Sequence, residues 1–545
     1  MKYTIRSNKG SLRRPDTGKE ERGTLHKLRK RSSSSRFRLR KRSVHRLYGS
    51  FIFPLLFCPA CNAYLDHVPD NRARLEDREA VAELLVSAYP DISYVPFCEI
   101  MSDNADDKGK VMGQGEDFHI ECYEWKVPRG VSQDTPTAYW NSCYRAIAAA
   151  NQALESIKTM GREKEPEYLP LIGEALVCRA YAHYMLASLL AMPYNPETAG
   201  KLPGIPIATR PEKEIFAEYE RGTLEQTYKC IREDLETGIK LLENGYDVPK
   251  YHFTKEAAAA FAARFYQTLG EWDKVIEAAD RAIGHTDAKI RAWNNPQTYG
   301  RYSYAEIAAA YSSSGEPANL LLASCLSAWP RKFAVNRFGL SQEILPQLFF
   351  NRKNVLGADI AVGLYGNEKV LNIPKVKEYF KQEGLNATSG WIYVMLPLFT
   401  AEEALFNRAE AYAMKGDYSA CIGDINLYFG RRIRGYSGSE AETLTEEKVK
   451  RYYAGRKPHL HTWYAVDAAT EPYLKCIADL RRSEFVHEGM RWFDVRRWGL
   501  DIVHIRRTGE NDHPLTLHLK HDDPRRALQL PEDAVANGLE PNPRK

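Results

Sequence analysis

Apolar residues recur at spacings of three and four along most of the chain after residue 75, the period of a helix with one face turned inward. The segments "DREAVAELLVSAYP" (77–90), "AYWNSCYRAIAAANQALESI" (138–157) and "LIGEALVCRAYAHYMLASLLAM" (171–192) carry it. So does "TLEQTYKCIREDLETGIKLL" (223–242), which opens on Thr223 as an N-cap. Two stretches, 253–284 and 401–432, repeat one design. In each, an Ala-rich helix runs to a turn, at Leu269-Gly270 or at Gly416, and a second amphipathic helix follows. This is tetratricopeptide construction, in which small residues such as Ala411, Ala413 and Ala420 let paired helices approach closely. Helices 171–192 and 223–242 suit a further pair. A continuous solenoid would space its repeats by about 34 residues, and these lie further apart. The expected fold is therefore mostly α: one domain over 61–545, with four tetratricopeptide-like helix pairs beneath an irregular, loop-rich face. Segments 93–137, 285–400 and 433–470 lack periodicity and are where binding is expected.

Charge changes the picture at the N-terminus. Residues 1–50 hold 17 Lys/Arg against 3 Asp/Glu, so the net +5 of the 545-residue chain belongs to its leader. The rest is net acidic, with 59 basic and 68 acidic residues, which argues against a nucleic-acid or anionic-membrane binder. Residues 1–43, rich in Arg, Lys and Ser, are expected not to fold. They read as a misassigned start, with a nucleic-acid-binding arm as the alternative. Residues 44–60 then read as a signal peptide: a basic flank and an apolar run over Leu47–Ala60, too short for the ~20 residues of a membrane span. Cys61 follows the small Ala60, as a cysteine to be lipidated would. Ten scattered cysteines, with CPAC at 58–61 as the one close pair, imply neither a zinc ribbon nor a disulfide scaffold.

Enzyme and cofactor signatures are absent. There is no GxxxxGK[ST], no GxGxxG after a strand and no GxSxG, and His487-Glu488 is not HExxH because position 491 is arginine. His459 and His461 have no carboxylate near them in sequence and read as loop histidines. Asp103, Asp106 and Asp107 could take calcium, but the glycine and distal glutamate of an EF-hand loop are missing. No metal and no cofactor are expected.

The order of motifs is specific. Cys61 with "YLDHVPD" after it, "EIMSDNADD" (99–107), the helices at 138–157 and 173–189 and "GIPIATRPE" (204–212) come first. The two helix pairs, "RRSEFVHEGMRWFDVRRWG" (481–499) and the tail "ALQLPEDAVANGLEPNP" follow. Together they resemble the SusD/RagB family of starch-utilisation-like outer-membrane lipoproteins of Bacteroidetes, over roughly residues 61–543. The resemblance implies a surface-exposed, lipid-anchored glycan binder without catalytic activity. It would sit as a lid over a SusC-like TonB-dependent transporter and deliver oligosaccharides to it.

In 481–499, Arg481, Glu484, Glu488, Arg491, Asp494 and Arg497 are spaced to form one stripe on a helix, each acidic group within a turn of a basic one. Pairing, for instance of Glu488 with Arg491, lowers carboxylate pKa values, whereas a glycosidase acid needs the opposite shift. The stretch therefore reads as a structural ion network covered by Phe485, Trp492, Phe493 and Trp498, with Gly489 at a close helix crossing. Where the family usually has glutamate, before Arg481, this chain has Leu480. Sugar binding needs flat aromatic faces beside hydrogen-bonding side chains. The loops "ECYEW", "RAWNNPQTYGRYSY" and "SAWPRKFAVNRF" offer Trp125, Trp293, Asn294, Tyr299, Tyr302 and Arg331 as candidates. A peptide-binding tetratricopeptide scaffold and a glycosidase acting through Glu484 or Glu488 are the competing readings.

Overall fold

Helix starts follow local chemistry. In the computed structural model, α1 (Arg78–Leu85), α2 (Val95–Met101) and α3 (Asp117–Tyr123) precede the long α4 (Pro136–Thr159) and α5 (Leu169–Leu190). Thr135 caps α4 by accepting the Ala138 N–H, and Pro136 occupies the first turn, where its missing N–H is no loss. A reciprocal Thr223–Gln226 capping box opens α6 (Leu224–Leu241). The structure describes residues 77–109, 117–212, 219–332, 335–349, 354–367, 370–382, 384, 387–456, 459–507 and 513–544. The expectations for residues 1–43, 44–60 and Cys61 lie outside them.

Helix α5 is buried nearly all round and packs on both α4 and α6. It crosses α6 where Gly173 meets Gly238: a Cβ on either would come within 2.9 Å or 2.8 Å of the other's carbonyl oxygen. Across the same crossing, buried Arg179 grips Asp234 through two 2.7 Å hydrogen bonds.

The predicted pairs at 253–284 and 401–432 form as α7 (Lys255–Thr268) with α8 (Trp272–Ile283), and α12 (Ala401–Met414) with α13 (Tyr418–Gly430). Helix α12 lies against α7 and α8 and is buried almost throughout, charged residues included. Its charges are met from the neighbouring helices. Arg264 of α7 holds Glu403 at 2.5 Å, Gln267 donates to Glu410, and Arg408 bridges Asp280 of α8 to Asp424 of α13 at 2.7 Å each.

Between the pairs lie α9 (Tyr304–Tyr311), the short α10 (Trp329–Lys332) and α11 (Leu345–Leu348), and small antiparallel ladders. Two of these are minimal: β1 (Asp106–Asp107) on β3 (Phe338–Gly339), and β4 (Tyr365–Gly366) on β5 (Leu371–Asn372). The main sheet orders β2 (Asn319–Leu326), β7 (Gly390–Thr400) and β6 (Glu378–Gln382), with β7 central. Pro397 is tolerated in β7 because β6 pairs only with residues 390–394, so the far side of β7 has no partner strand there. Thr400 ends the strand and at once caps α12 through the Glu403 N–H. A smaller apolar cluster that includes Trp293, Tyr299, Ile307, Tyr311, Leu340, Leu345, Leu371 and Ile373 lies under these loops.

The C-terminal part adds α14 (Glu446–Tyr453), α15 (Glu471–Glu484), α16 (Met490–Arg497), the hairpin of β8 (Ile502–Arg506) and β9 (Leu515–Leu519), and α17 (Glu532–Ala536). Here the single helical stripe expected over 481–499 is corrected. The helix ends at Glu484, and residues 485–489 make a turn in which His487 and Gly489 have φ of 68° and 72°. The turn is held by a carboxylate from far away: Glu99 of α2 accepts the His487 N–H at 2.9 Å and the Gly489 N–H at 3.2 Å. Gly489 does mark a close crossing, since a Cβ there would lie 3.0 Å from Val95 Cα of α2.

Candidate functional site

The charged stretch is internal. Arg481, Glu484, Glu488, Arg491 and Asp494 are all buried. Arg481 pairs with Asp494 at 2.9 Å across the turn, and Arg497 joins Asp494 at 2.9 Å and Glu410 at 2.7 Å. The remaining partners lie outside the stretch. Glu484 takes a two-pronged contact from Arg432 at 2.8 Å, and Arg491 grips Asp103 at 2.7 Å. Glu488 accepts from Tyr311 Oη and Lys375 Nζ, both at 2.6 Å, so the expected Glu488–Arg491 pair is corrected. Burial opposes the ionisation of Glu484, yet Arg432 overrides it and holds the carboxyl below its usual range. Arg481 and Arg497 do the same for Asp494 against its own burial. Glu484 and Asp494 are thus each held by arginine, and Glu488 by a tyrosine and a lysine.

Arginines also hold two of the three aspartates considered for calcium. Asp103 is held by Arg491 and Arg482, and Asp107 by Arg337 at 2.6 Å and Arg506 at 3.0 Å.

The aromatic candidates divide by exposure. Trp125, at φ 51°, is buried, stacks on His504 at 4.3 Å and donates its indole N–H to the Met101 carbonyl. It presents no face to a sugar, which corrects that expectation. Trp293 and Tyr299 are buried against each other at 4.9 Å, and Tyr299 donates to Glu316. The Asn294 amide spans the Gly430 and Ile433 carbonyls at 2.8 and 2.7 Å. Trp293 and Asn294 nonetheless edge a groove of roughly 570 Å³, with Arg434 and Tyr436 across it. Tyr302 is half-buried, 5.6 Å from Tyr299. Arg331 is exposed and clamped on Glu378 at 2.5 Å.

The side chain that best suits a pyranose face was not among the candidates. Of the nine tryptophans only Trp391 is exposed, at 49%. It stands on β7 opposite Lys381 of β6, and Tyr393 opposite Tyr379 shares that face of the sheet. A groove of roughly 580 Å³ runs between this face and α4. Trp391, Leu326 and Ile92 supply its apolar lining, and Gln133, Asn141, Arg145 and Lys332 its polar groups. Arg145 is held at 2.6 Å by Asp91, and Arg331 adjoins the groove through its neighbour Lys332. The signal in sequence was the alternation in "GWIYVMLPL", where Val394 and Leu396 point inward and Trp391 and Tyr393 the other way.

The comparisons with known proteins meet this geometry. A SusD-like family described as starch-binding associating with outer membrane matches residues 63–267, and the SusD family proper matches 388–538. The chain belongs to the SusD/RagB family. Among solved structures it is similar to a SusD superfamily protein from Bacteroides thetaiotaomicron: 20% identity, 85% of this chain and 98% of that one, TM-score 0.58. It also resembles a SusD-like carbohydrate binding protein from Bacteroides vulgatus (15% identity, 84% and 96% of the two chains, TM-score 0.55). A SusD-like protein from Bacteroides fragilis matches at 17% identity over 87% and 98%, TM-score 0.55. At such identities the likeness is one of fold, and it confirms the mostly helical SusD-like architecture. No curated protein matches. Among the described residues of this SusD/RagB chain, no helix is long and apolar enough to cross a membrane.

Proposed function

We propose that this SusD/RagB protein is a glycan-binding lipoprotein of the outer-membrane surface. It captures oligosaccharides in the Trp391 groove and passes them to a SusC-like TonB-dependent transporter. The observation that carries the reading is the one exposed tryptophan, set on the central strand of the main sheet beside a groove with amide, guanidinium and ammonium groups. That is the apolar platform with a few polar fixtures that sugar recognition requires. Membership of a family described as starch-binding supports it, as does the description of a structural relative as carbohydrate binding. The anchor is lipid at Cys61, and there is no turnover: the paired glutamates of 481–499 are spoken for by arginine and lysine.

A glycan array with purified protein, followed by calorimetry on the best ligand, tests the reading. Trp391→Ala should weaken binding by about 1–3 kcal/mol, the range of a well-used aromatic contact, and leave the melting temperature nearly unchanged. Binding that survives in Trp391→Ala would move the site elsewhere, the Trp293-edged groove first. Release of reducing sugar that Glu488→Gln abolishes would establish a glycosidase instead. Failure to bind any glycan, with capture of peptides, would favour the tetratricopeptide scaffold.

A further inference from the structure

The loop through His461 and the β8–β9 hairpin meet at the surface, on the C-terminal side of α16. The His461 N–H donates to the Trp498 carbonyl at 2.8 Å. The loop also presses on Gly499 so closely that a Cβ there would lie 2.5 Å from the His461 carbonyl oxygen. Two residues on, Asp501 stands at the foot of β8. His521 follows the end of β9, and its N–H donates to Asp501 Oδ1 at 2.7 Å. Three backbone segments distant in sequence are thus fixed side by side, each presenting one metal-ligating group. The imidazoles of His461 and His521 stack at 3.9 Å between centroids. One donor atom from each of His461, Asp501 and His521 lies within 4.8 Å of the others, and all three side chains are exposed. In sequence His461 had no carboxylate near it; the fold supplies one.

We propose that His461, Asp501 and His521 bind a divalent transition-metal ion, with zinc the best fit. Two imidazoles and one carboxylate suit zinc, nickel or copper, whereas calcium and magnesium require oxygen donors throughout. Bonds of about 2.0–2.2 Å in a tetrahedral shell put donor atoms about 3.3 Å apart. Binding therefore draws the three groups together, and the two rings turn out of their stack while the backbone stays. Side-chain rotation of exposed residues supplies that movement, and Lys520, now 3.3 Å from Asp501 Oδ2, gives up its contact. The ion ties the 459–461 loop to the hairpin and keeps a coordination position for water or for a donor from outside the chain.

The test is calorimetric titration of the tag-free, full-length protein with zinc chloride and, separately, nickel chloride, at pH 7.5. One ion per chain with micromolar affinity is expected. His521→Ala and His461→Ala should each weaken it by more than about tenfold, and Asp501→Asn should act in the same direction. His285→Ala, at an exposed histidine elsewhere, should leave it unchanged. Far-UV melting curves identify any variant that fails to fold, and the conservative Asp501→Asn then decides. Affinity no better than millimolar, or binding that none of the three variants alters, overturns the proposal.

Discussion

Glu488 lies buried between Tyr311 Oη and Lys375 Nζ, and Lys375 also donates to the Glu484 carbonyl. Glu488→Gln removes the charge that Lys375 faces and leaves a desolvated ammonium, a loss of about 3–5 kcal/mol for a buried pair. Urea denaturation should show that loss, while glycan affinity of the folded fraction stays within about twofold. Trp293→Ala opens a cavity in the smaller apolar cluster and should likewise act on stability, by about 3–5 kcal/mol; an unchanged melting temperature with lost glycan binding would contradict its assignment to the core. Glu99 adds a pH signature. Burial lifts its pKa from 4.5 to about 7, so the folded state holds a proton that the unfolded chain has released. The stabilisation is complete below pH 4.5 and is lost as pH rises through 7, on the order of 3 kcal/mol in all. Glu99→Gln abolishes that titration, so its stability deficit against the parent should be larger at pH 4.5 than at pH 8. Equal deficits at both would exclude a titrating Glu99. That the charged stretch is structural was legible from its alternating signs. The partners were not, because Arg432, Lys375, Asp103 and Glu410 come from other elements, and spacing along one helix carries no information about them.

At the scale of elements, three- and four-residue periodicity located the long helices and both helix pairs, since amphipathic helices must bury one stripe wherever they end up. The break between α15 and α16 escaped it. Charges keep helical spacing straight through 485–489, and what stops the helix is Glu99, reaching in from α2 to bind two backbone N–H groups. Gly489→Ala tests the turn. An alanine at φ 72° with α2 3.0 Å away is strained and crowded, and should destabilise the protein by about 1–3 kcal/mol in chemical denaturation. A neutral result would mean that α2 yields easily. The Trp391 groove was legible only in part for a related reason: alternation in β7 separates two faces, but only the pairing with β2 and β6 and the placement of α4 decide which one meets solvent.

At the scale of the whole molecule, the protein is mostly helical, its interior is knit by arginine–carboxylate pairs, and its small main sheet and α4 bound the groove. The proposed role at the outer-membrane surface requires a tether. Cys61→Ala should shift the protein from the membrane to the soluble fraction of cells, because each buried acyl CH₂ contributes about 0.8 kcal/mol; retention of the mutant in the membrane would contradict the anchor. The passage from β7 into α12 bears on the proposed capture of glycans. No residue separates the strand that bears Trp391 from the helix buried at the centre of the stack, because Thr400 ends one and caps the other. A hinge needs a few residues free to change their backbone angles, and here there are none. The C-terminal end of β7 is therefore joined directly to α12. Under the proposed function, a sugar captured at Trp391 would not have to order a linker at this junction, so discrimination among glycans would rest on shape and hydrogen bonding rather than on the entropy of ordering the protein.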